Sequence, residues 1–286
     1  YTNKRLQEGI PTLKPRKKGE YLTDREADEA VGFIRRHKDK PFLLYLSHYT
    51  VHTPIQAKPS VTEKYIPLKD GKGQDNAIYA SMLESLDDSM GRLLETLEAH
   101  ELTDNTVIIF TGDNGGLDRN DNPTDNAPLK IGKGFATEGG IRVPWIVRWP
   151  GVTKPGTVNK TPITSVDLFP TIASITDTSV AKNHLLDGLD LTEILKGEQG
   201  PERSLFWHFP HYRHRGGDDP YSIVRNGNWK LIYYYDPMKI ELYHLVKDIG
   251  ELHNLVDDEP EVTGQLLREL KEHLEETGAK KPIAKK

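Results

Sequence analysis

The sequence predicts an α/β protein: part of a mixed, largely parallel sheet flanked by helices, followed by a small antiparallel sheet with a terminal helix. Three observations carry that reading. Apolar strand-like runs alternate with amphipathic helical stretches through residues 1–200, the alternation that builds parallel strand–helix–strand units. Four strand-like runs then follow one another from Ser204, joined by turns too short for a crossover. A helical repeat closes the chain. Residues 1–200 are thus expected to form one region and residues 201–286 a small second one.

The elements follow in order. Thr23-Asp24-Arg25-Glu26 has the spacing of a capping box and predicts a helix to about Arg36, with Ala30, Phe33 and Ile34 as its buried stripe. PFLLYLSH, Pro41 to His48, is a continuous apolar run and predicts a strand covered on both faces. From about Asn76 to Glu98, Ile78, Met82, Leu86, Met90, Leu93, Leu94 and Leu97 recur every three to four residues and predict a long helix. A strand over Thr106–Thr111, a loop from Asp113 to Glu138 and a strand within Val143–Gly151 come next, then a short helix over Asp167–Ile175 despite Pro170. The runs SLFWHF, YSIVR, NWKLIYYY and IELYHL form the second region, where Asn226-Gly227-Asn228 and Asp236-Pro237 make the last two turns. The last helix starts near Glu259-Pro260, buries Val262, Leu266, Leu270 and Leu274, and stops at Gly278. The Lys-rich tail from Lys280 reads as disordered.

Composition narrows the function. The 286 residues are 36% hydrophobic and 28% charged, as in an ordinary globular protein with a real core. Thirty-eight basic against 43 acidic residues give a net charge of −5, which argues against a nucleic-acid or polybasic membrane binder. No apolar run approaches the roughly 18 residues of a membrane span. With no cysteine, disulfides, thiolate metal sites and a cysteine nucleophile are excluded for this chain. The opening on Tyr1, in a polar, turn-rich segment, reads as the interior of a longer protein, and the sequon Asn159-Lys160-Thr161 is the one sign of secretion.

Several segments could carry chemistry. TVIIFTGDNGG runs a strand into Asp113 and Asn114, three hard oxygen acceptors followed by two glycines. That is a hairpin turn, or part of a site for a hard divalent cation at a strand end. DRNDNPTDN, Asp118 to Asn126, has an EF-hand flavour, but Pro123 and Leu129 stand where the glycine and bidentate glutamate belong, so it reads as a solvated polar loop. IGKGFATEGG sets Lys133 between glycines, as a surface lysine or a cation aimed at an anionic substrate, without P-loop spacing. His48 and His52 lie at and beyond a strand end, where a histidine can act as a general acid. In WHFPHYRHR, Pro210 argues for strand and loop over a zinc helix; its aromatic, His and Arg residues suit sugar stacking and anion binding, or a half-buried strand.

Taken in order, LLYLSHYTVHTP, TVIIFTGDNGG, GKGFATEGGIRVP and SVDLFPTIASI resemble the sulfatase family, specifically the carboxyl-terminal half of its formylglycine-dependent, arylsulfatase-like members in the alkaline phosphatase superfamily. NWKLIYYY…ELYHLVKDIGELHNL is similar to that family's small terminal subdomain. The resemblance implies a sulfuric ester hydrolase. Asp113 and Asn114 would be two ligands of a single calcium ion, His52 would protonate the leaving alcohol, and Lys133 would neutralise the sulfate. His211, Arg213 and Arg215 would join His52 and Lys133 in holding the substrate, a sulfated carbohydrate in preference to an aryl sulfate ester. A periplasmic, secreted or lysosome-like location is implied, with no nucleic acid and no membrane.

The same resemblance exposes a gap. The family's nucleophile is a formylglycine made from Cys or Ser in a C/S-x-P-x-R motif, and these residues contain no such motif. The family's amino-terminal acidic pair, which completes the calcium shell, is also expected in a missing amino-terminal segment of the same protein. The chain alone is therefore expected to be catalytically inactive, to bind calcium poorly and to leave a sheet edge open. Two alternatives stand beside this reading. One is a related phosphatase or phosphonate hydrolase, disfavoured because two-metal members carry Asp-His where this chain has Asp113-Asn114. The other is a non-catalytic module that binds sulfated glycans.

Overall fold

A computed structural model describes residues 19–68, 74–118, 123–181, 183–213 and 217–283. The chain divides into two compact units, Tyr1–Thr106 and Val107–Lys286.

The first unit contains helices α1 (Leu22–His37), α2 (Pro59–Tyr65) and α3 (Ala77–Ala99), with α3 packed on both of the others. Asn76 caps α3 by accepting the Tyr79 N–H at 2.9 Å. The buried face of α3 is not the expected aliphatic stripe. Ser81, Ser85, Ser89 and Thr96 line it with Met82, Leu93 and Leu97, while Ile78 and Leu94 are exposed. Small residues let the neighbouring helices come close, and the Ser81 and Ser85 hydroxyls are satisfied by the carbonyls four residues back.

Two further expectations are corrected here. α1 begins at Leu22 with Tyr21 at its cap position, so Thr23 and Glu26 lie inside the helix and form no capping box. Thr23 instead makes a buried contact with the Thr50 hydroxyl, and Glu26 binds His48. Residues 41–48 form no strand, because no ladder partner for them exists among the described residues. Their side chains alternate in exposure, with Leu43 at 69% and Tyr45 at 85%, so this is a half-covered extended segment.

The second unit opens with β1 (Ile108–Thr111), which pairs antiparallel with β2 (Trp145–Arg148), Ile108 opposite Arg148 and Thr111 opposite Trp145. Between them lies the one-turn helix α4 (Glu138–Ile141). The class is α/β, as expected, but among the described residues the strands pair only antiparallel. Then come a 3-10 turn at Ser165–Asp167, α5 (Leu168–Ile175) and α6 (Thr192–Leu195). Pro170 is tolerated because it sits in the first turn of α5.

Strands β3 (Ser204–Phe209), β4 (Tyr221–Asn226), β5 (Trp229–Tyr235) and β6 (Met238–His244) form a four-stranded antiparallel sheet in chain order, as expected. Gly227, at φ 54°, supplies the left-handed residue of the β4–β5 turn. Both faces are covered. Val224, Leu231 and Leu242 meet Leu266 and Leu270 of α7 (Pro260–Glu276), and on the other face Tyr221, Ile223, Ile232, Tyr234 and Tyr243 enclose Ala136. The tail is more ordered than expected near Lys280, whose carbonyl bonds His208 Nε2 at 2.8 Å.

Candidate functional site

β1 delivers Asp113 and Asn114 just past its end, with Asp113 exposed and Asn114 half-buried. The Asp113 Oδ1 accepts both the Asn114 N–H, at 2.9 Å, and the Asn114 side-chain amide, at 3.0 Å. This is a turn without a hairpin, because the chain does not fold back on β1 here but runs into the Lys133 loop. The Gly115 N–H donates to the Gly140 carbonyl at 3.1 Å, and a Cβ on Gly115 would lie 1.6 Å from the Gly139 oxygen. Only glycine fits there. The next carbonyl, Gly116, accepts the Lys133 N–H at 2.8 Å. Asp113-Asn114 and Lys133 are thus brought together by the bond from the Lys133 N–H to Gly116, with Gly115 tied to Gly140 at the far end of the loop.

Asn126 ties the same two segments. Its side-chain amide donates to the Gly116 carbonyl at 3.1 Å and to the Ile131 carbonyl at 2.9 Å, while its N–H donates to Asp118 at 3.0 Å. The polar stretch expected to be a solvated loop is therefore corrected at both ends: Asp118 and Asn126 are a latch, and Pro123 is buried. Residues 119–122 lie outside the described residues.

The loop carrying Lys133 is closed on itself and anchored to the small sheet. The Lys130 carbonyl accepts the Gly139 N–H at 3.2 Å and the Thr137 hydroxyl at 2.7 Å. Asp218, from the segment after β3, accepts the Ala136 N–H at 2.7 Å and gives its own N–H to Gly134 at 3.0 Å. Burial pushes the Asp218 carboxyl above its ordinary value, and the Ala136 N–H only partly offsets that. At the base of the loop, Glu138, Lys230 and Glu251 form a fully buried cluster, with Lys230 Nζ 3.0 Å from Glu138 and 2.8 Å from Glu251. Burial alone would raise Glu138, but the Lys230 ammonium and its hydrogen bond override it and hold that carboxyl below its usual range. Glu251 stays above, because burial outweighs the same lysine.

The segment expected to hold substrate reaches this loop. Gly217, at φ 139°, packs where a Cβ would come within 2.3 Å of Arg213 Cδ and 2.7 Å of the Gly134 oxygen. The Arg213 guanidinium lies over the Phe209 ring, 4.6 Å from its centre, and its Nε is buried without a hydrogen-bond partner among the described residues. His211 is exposed and meets Phe209 edge-on. Arg215 and His214 lie outside the described residues. His208 is a structural residue, held between the Ser222 hydroxyl and the Lys280 carbonyl.

His52 belongs to the first unit. It is exposed, and its Nδ1 bonds the Thr53 carbonyl at 2.8 Å, which puts the ring hydrogen on Nδ1. Both ring nitrogens of His48 are engaged: Glu26 holds Nδ1 at 2.7 Å and Ser89 meets Nε2 at 3.1 Å.

Asp113 and Asn114 are a hard-oxygen donor set of the kind calcium takes, and Asp113 is exposed to receive it. They fill only part of a six- to eight-oxygen shell, and among the described residues no group of three acidic, His or Cys side chains could hold a metal. Glu138, Lys230, Glu251, Asp218 and Asn126 were not singled out from sequence. The available signal was Lys230, a cation among apolar residues in a strand buried on both faces, which demands buried carboxylates.

A family model described as "Sulfatase" matches residues 1–178, and one described as "N-sulphoglucosamine sulphohydrolase, C-terminal" matches residues 131–280. The chain is 35% identical to a "Sulfatase" of Formosa agariphila over 277 residues, covering 89% of this chain and 48% of that protein. It is 35% identical to the steryl-sulfatase of Rattus norvegicus over 195 residues, 66% of this chain and 32% of that one. The chain thus spans about half or less of these relatives. The crystal structure of Ps i-CgsB in complex with k-i-k-neocarrahexaose is similar with a TM-score of 0.80 and 31% identity, covering 91% of this chain and 56% of that one.

Proposed function

The chain belongs to the sulfatase family, and from that premise we propose that it contributes the calcium-binding strand end, the sulfate-facing lysine and the substrate-holding segment of an enzyme that hydrolyses sulfate esters on a carbohydrate. The observation that carries the proposal is the joining of Asp113-Asn114 to the Lys133 loop through Gly115, Gly116 and Asn126. Opposite charges set by backbone bonds a few residues apart make a preorganised place for an anion and a cation.

Asp113 and Asn114 would hold the calcium ion together with ligands from outside these residues. The ion would supply positive charge to the nonbridging sulfate oxygens. Lys133 would offset charge that builds on the sulfate as its sulfur passes from the alcohol oxygen to a nucleophilic oxygen supplied from outside these residues. His52 gives its Nε2 proton to the departing alcohol oxygen. His211 and Arg213, with Arg215, hold the sugar by stacking and charge, and residues 201–286 serve as the subdomain that presents them beside the catalytic part in 1–200. The hexaose in the similar structure supports a carbohydrate substrate. The family's formylglycine has no precursor motif here, so the chain by itself is expected to be inactive and to bind calcium poorly. The family setting supports a periplasmic, secreted or lysosome-like location; among the described residues no helix is long and apolar enough to cross a membrane.

The test is sulfate release from a panel of sulfated oligosaccharides by the complete protein that contains this chain, with and without chelator. Lys133→Ala is expected to lower kcat by about 100-fold or more, as loss of a transition-state charge partner does. Asp113→Ala should raise the calcium concentration needed for activity in the same assay. Turnover of an aryl sulfate by the purified 286-residue chain would overturn the division of labour, and full retention of binding with no turnover in the complete protein would favour a glycan-binding module.

A further inference from the structure

Lys133 sits in the middle of a loop whose two ends meet at Glu251. Lys130 Nζ donates to the Glu251 carbonyl at 2.9 Å, and the Glu138 N–H donates to Glu251 Oε2 at 2.6 Å. Glu251 and Glu138 are both buried, and two buried carboxylates in contact with one backbone segment repel unless a cation stands between them. Lys230 is that cation, with no exposed surface of its own and an ammonium within 3.0 Å of both. Arg142 reaches Glu138 only at 3.5 Å from an exposed position, and the Arg225 charge also favours the ionised Glu138. Among the described residues no second cation pairs with the Glu251 carboxylate: Lys130 binds its backbone carbonyl instead.

We propose that Lys230 is a positioning residue for Lys133, holding Glu138 and Glu251 together so that both ends of loop 130–138 are fixed and the ammonium at its centre is preorganised. The inference rests on Lys133 having the role given above. It accounts for why a small antiparallel sheet carries a charge in a strand where both faces are apolar. The sheet supplies the clamp on the loop, and the clamp has to be ionic because one carboxylate must grip the loop's backbone N–H while the other anchors the start of α4. Losing the lysine would loosen both ends of the loop, and misplacement of about 1 Å costs about 100-fold in rate.

Three variants separate this from ordinary loss of packing. Lys230→Met leaves the two carboxylates facing each other. Lys230→Met with Glu251→Gln keeps the same methionine but returns the cluster to its original net charge of −1. Lys130→Met removes the tie to the Glu251 carbonyl and a cation–π contact with the Tyr243 ring, 5.4 Å from its centre, but leaves the buried cluster intact, so it serves if Lys230→Met does not fold. Kinetics are measured on the complete protein with 4-nitrophenyl sulfate, and hydrogen exchange of amides 132–137 on the purified chain.

Lys230→Met is expected to lower kcat about 10- to 100-fold with KM changed less than about threefold. The double variant should recover at least about tenfold of that loss, and Lys130→Met should cost a few-fold. Exchange of amides 132–137 should speed up in Lys230→Met and slow again in the double variant, while amides of α7 stay protected. If both methionine variants lose equally, in rate or in protection, charge is not what holds the loop and the inference falls. Unchanged exchange in folded Lys230→Met also overturns it. If the complete wild-type protein hydrolyses no sulfate ester, the functional reading fails, and the exchange comparison alone still decides the clamp.

Discussion

Asn126 gives the sharpest test of how the candidate site is assembled. Its side-chain amide donates to two carbonyls, Gly116 at 3.1 Å on the strand-end side and Ile131 at 2.9 Å on the Lys133 side. Asn126→Ala removes both bonds, at about 1 kcal/mol each, so it should cost about 2 kcal/mol. Gly116 still accepts from Lys133 and Asp118, which limits the damage to the Ile131 oxygen. Asn126→Asp is nearly isosteric but turns a donor into a charged acceptor facing two carbonyl oxygens. It should cost about 3–4 kcal/mol at pH 7, more than the truncation. The sign with pH follows. Two facing carbonyls disfavour the ionised form, so this carboxyl would titrate higher in the folded chain than in the unfolded one. The folded state then binds more protons between those two values, and stability falls as pH rises through them. Below about pH 4 the protonated acid can donate one bond, so the aspartate variant should approach the alanine variant there. Urea unfolding of the purified chain at pH 7 and pH 4 measures both. An aspartate variant at least as stable as the alanine variant at pH 7 would show that Asn126 does not donate to these carbonyls and that the latch is wrongly drawn.

Other expectations follow from the same bonds. Asp218 has a carboxyl raised above 3.8 by burial, so the stability it confers is complete below that pH and declines as pH rises through its folded value; Asp218→Asn, which keeps an acceptor for Ala136, should flatten that limb in a pH series of thermal melts, and an unchanged slope would count against it. Asp167 is fully buried and accepts from Arg203, Thr164 and Leu189; Asp167→Ala should cost about 3–5 kcal/mol in urea unfolding, and a cost below about 1 kcal/mol would refute the pairing. Arg213→Ala in the complete enzyme should raise KM for the natural sugar about tenfold with kcat retained, and unchanged constants would remove Arg213 from the site.

What could be read from the sequence was local. The four strands from Ser204 were legible because alternation and short turns such as Asn226-Gly227-Asn228 act within a few residues. α3 was legible in extent through Asn76 and its period, but not in its buried face, since close helix packing selected Ser81, Ser85 and Ser89 over Ile78 and Leu94. PFLLYLSH had strand composition, yet a strand also needs a neighbour, and composition cannot supply one. The capping-box reading of Thr23 failed for a related reason: a hydroxyl 27 residues away, on Thr50, took it into the interior. In the candidate site, Asp113, Asn114 and Lys133 stood out because glycines surround them. Glu138 and Lys230 did not, because they meet across 92 residues of chain.

That last separation bears on why the small sheet exists. One of its faces is closed by α7 through Leu266 and Leu270, and the other encloses Ala136, three residues from Lys133. A loop rich in glycine gains reach and close backbone approach but loses order, because glycine gives up the most conformational freedom on folding. Here the order is restored from outside the loop, by Asp218 on Gly134 and Ala136, by Asn126 on Ile131, and by Glu251 on Lys130 and Glu138. Each tie ends on the loop's backbone or on a residue other than Lys133. The backbone on both sides of Lys133 is therefore held in place by groups drawn from the small sheet and from the strand end, which is the rigidity that a preorganised charge requires.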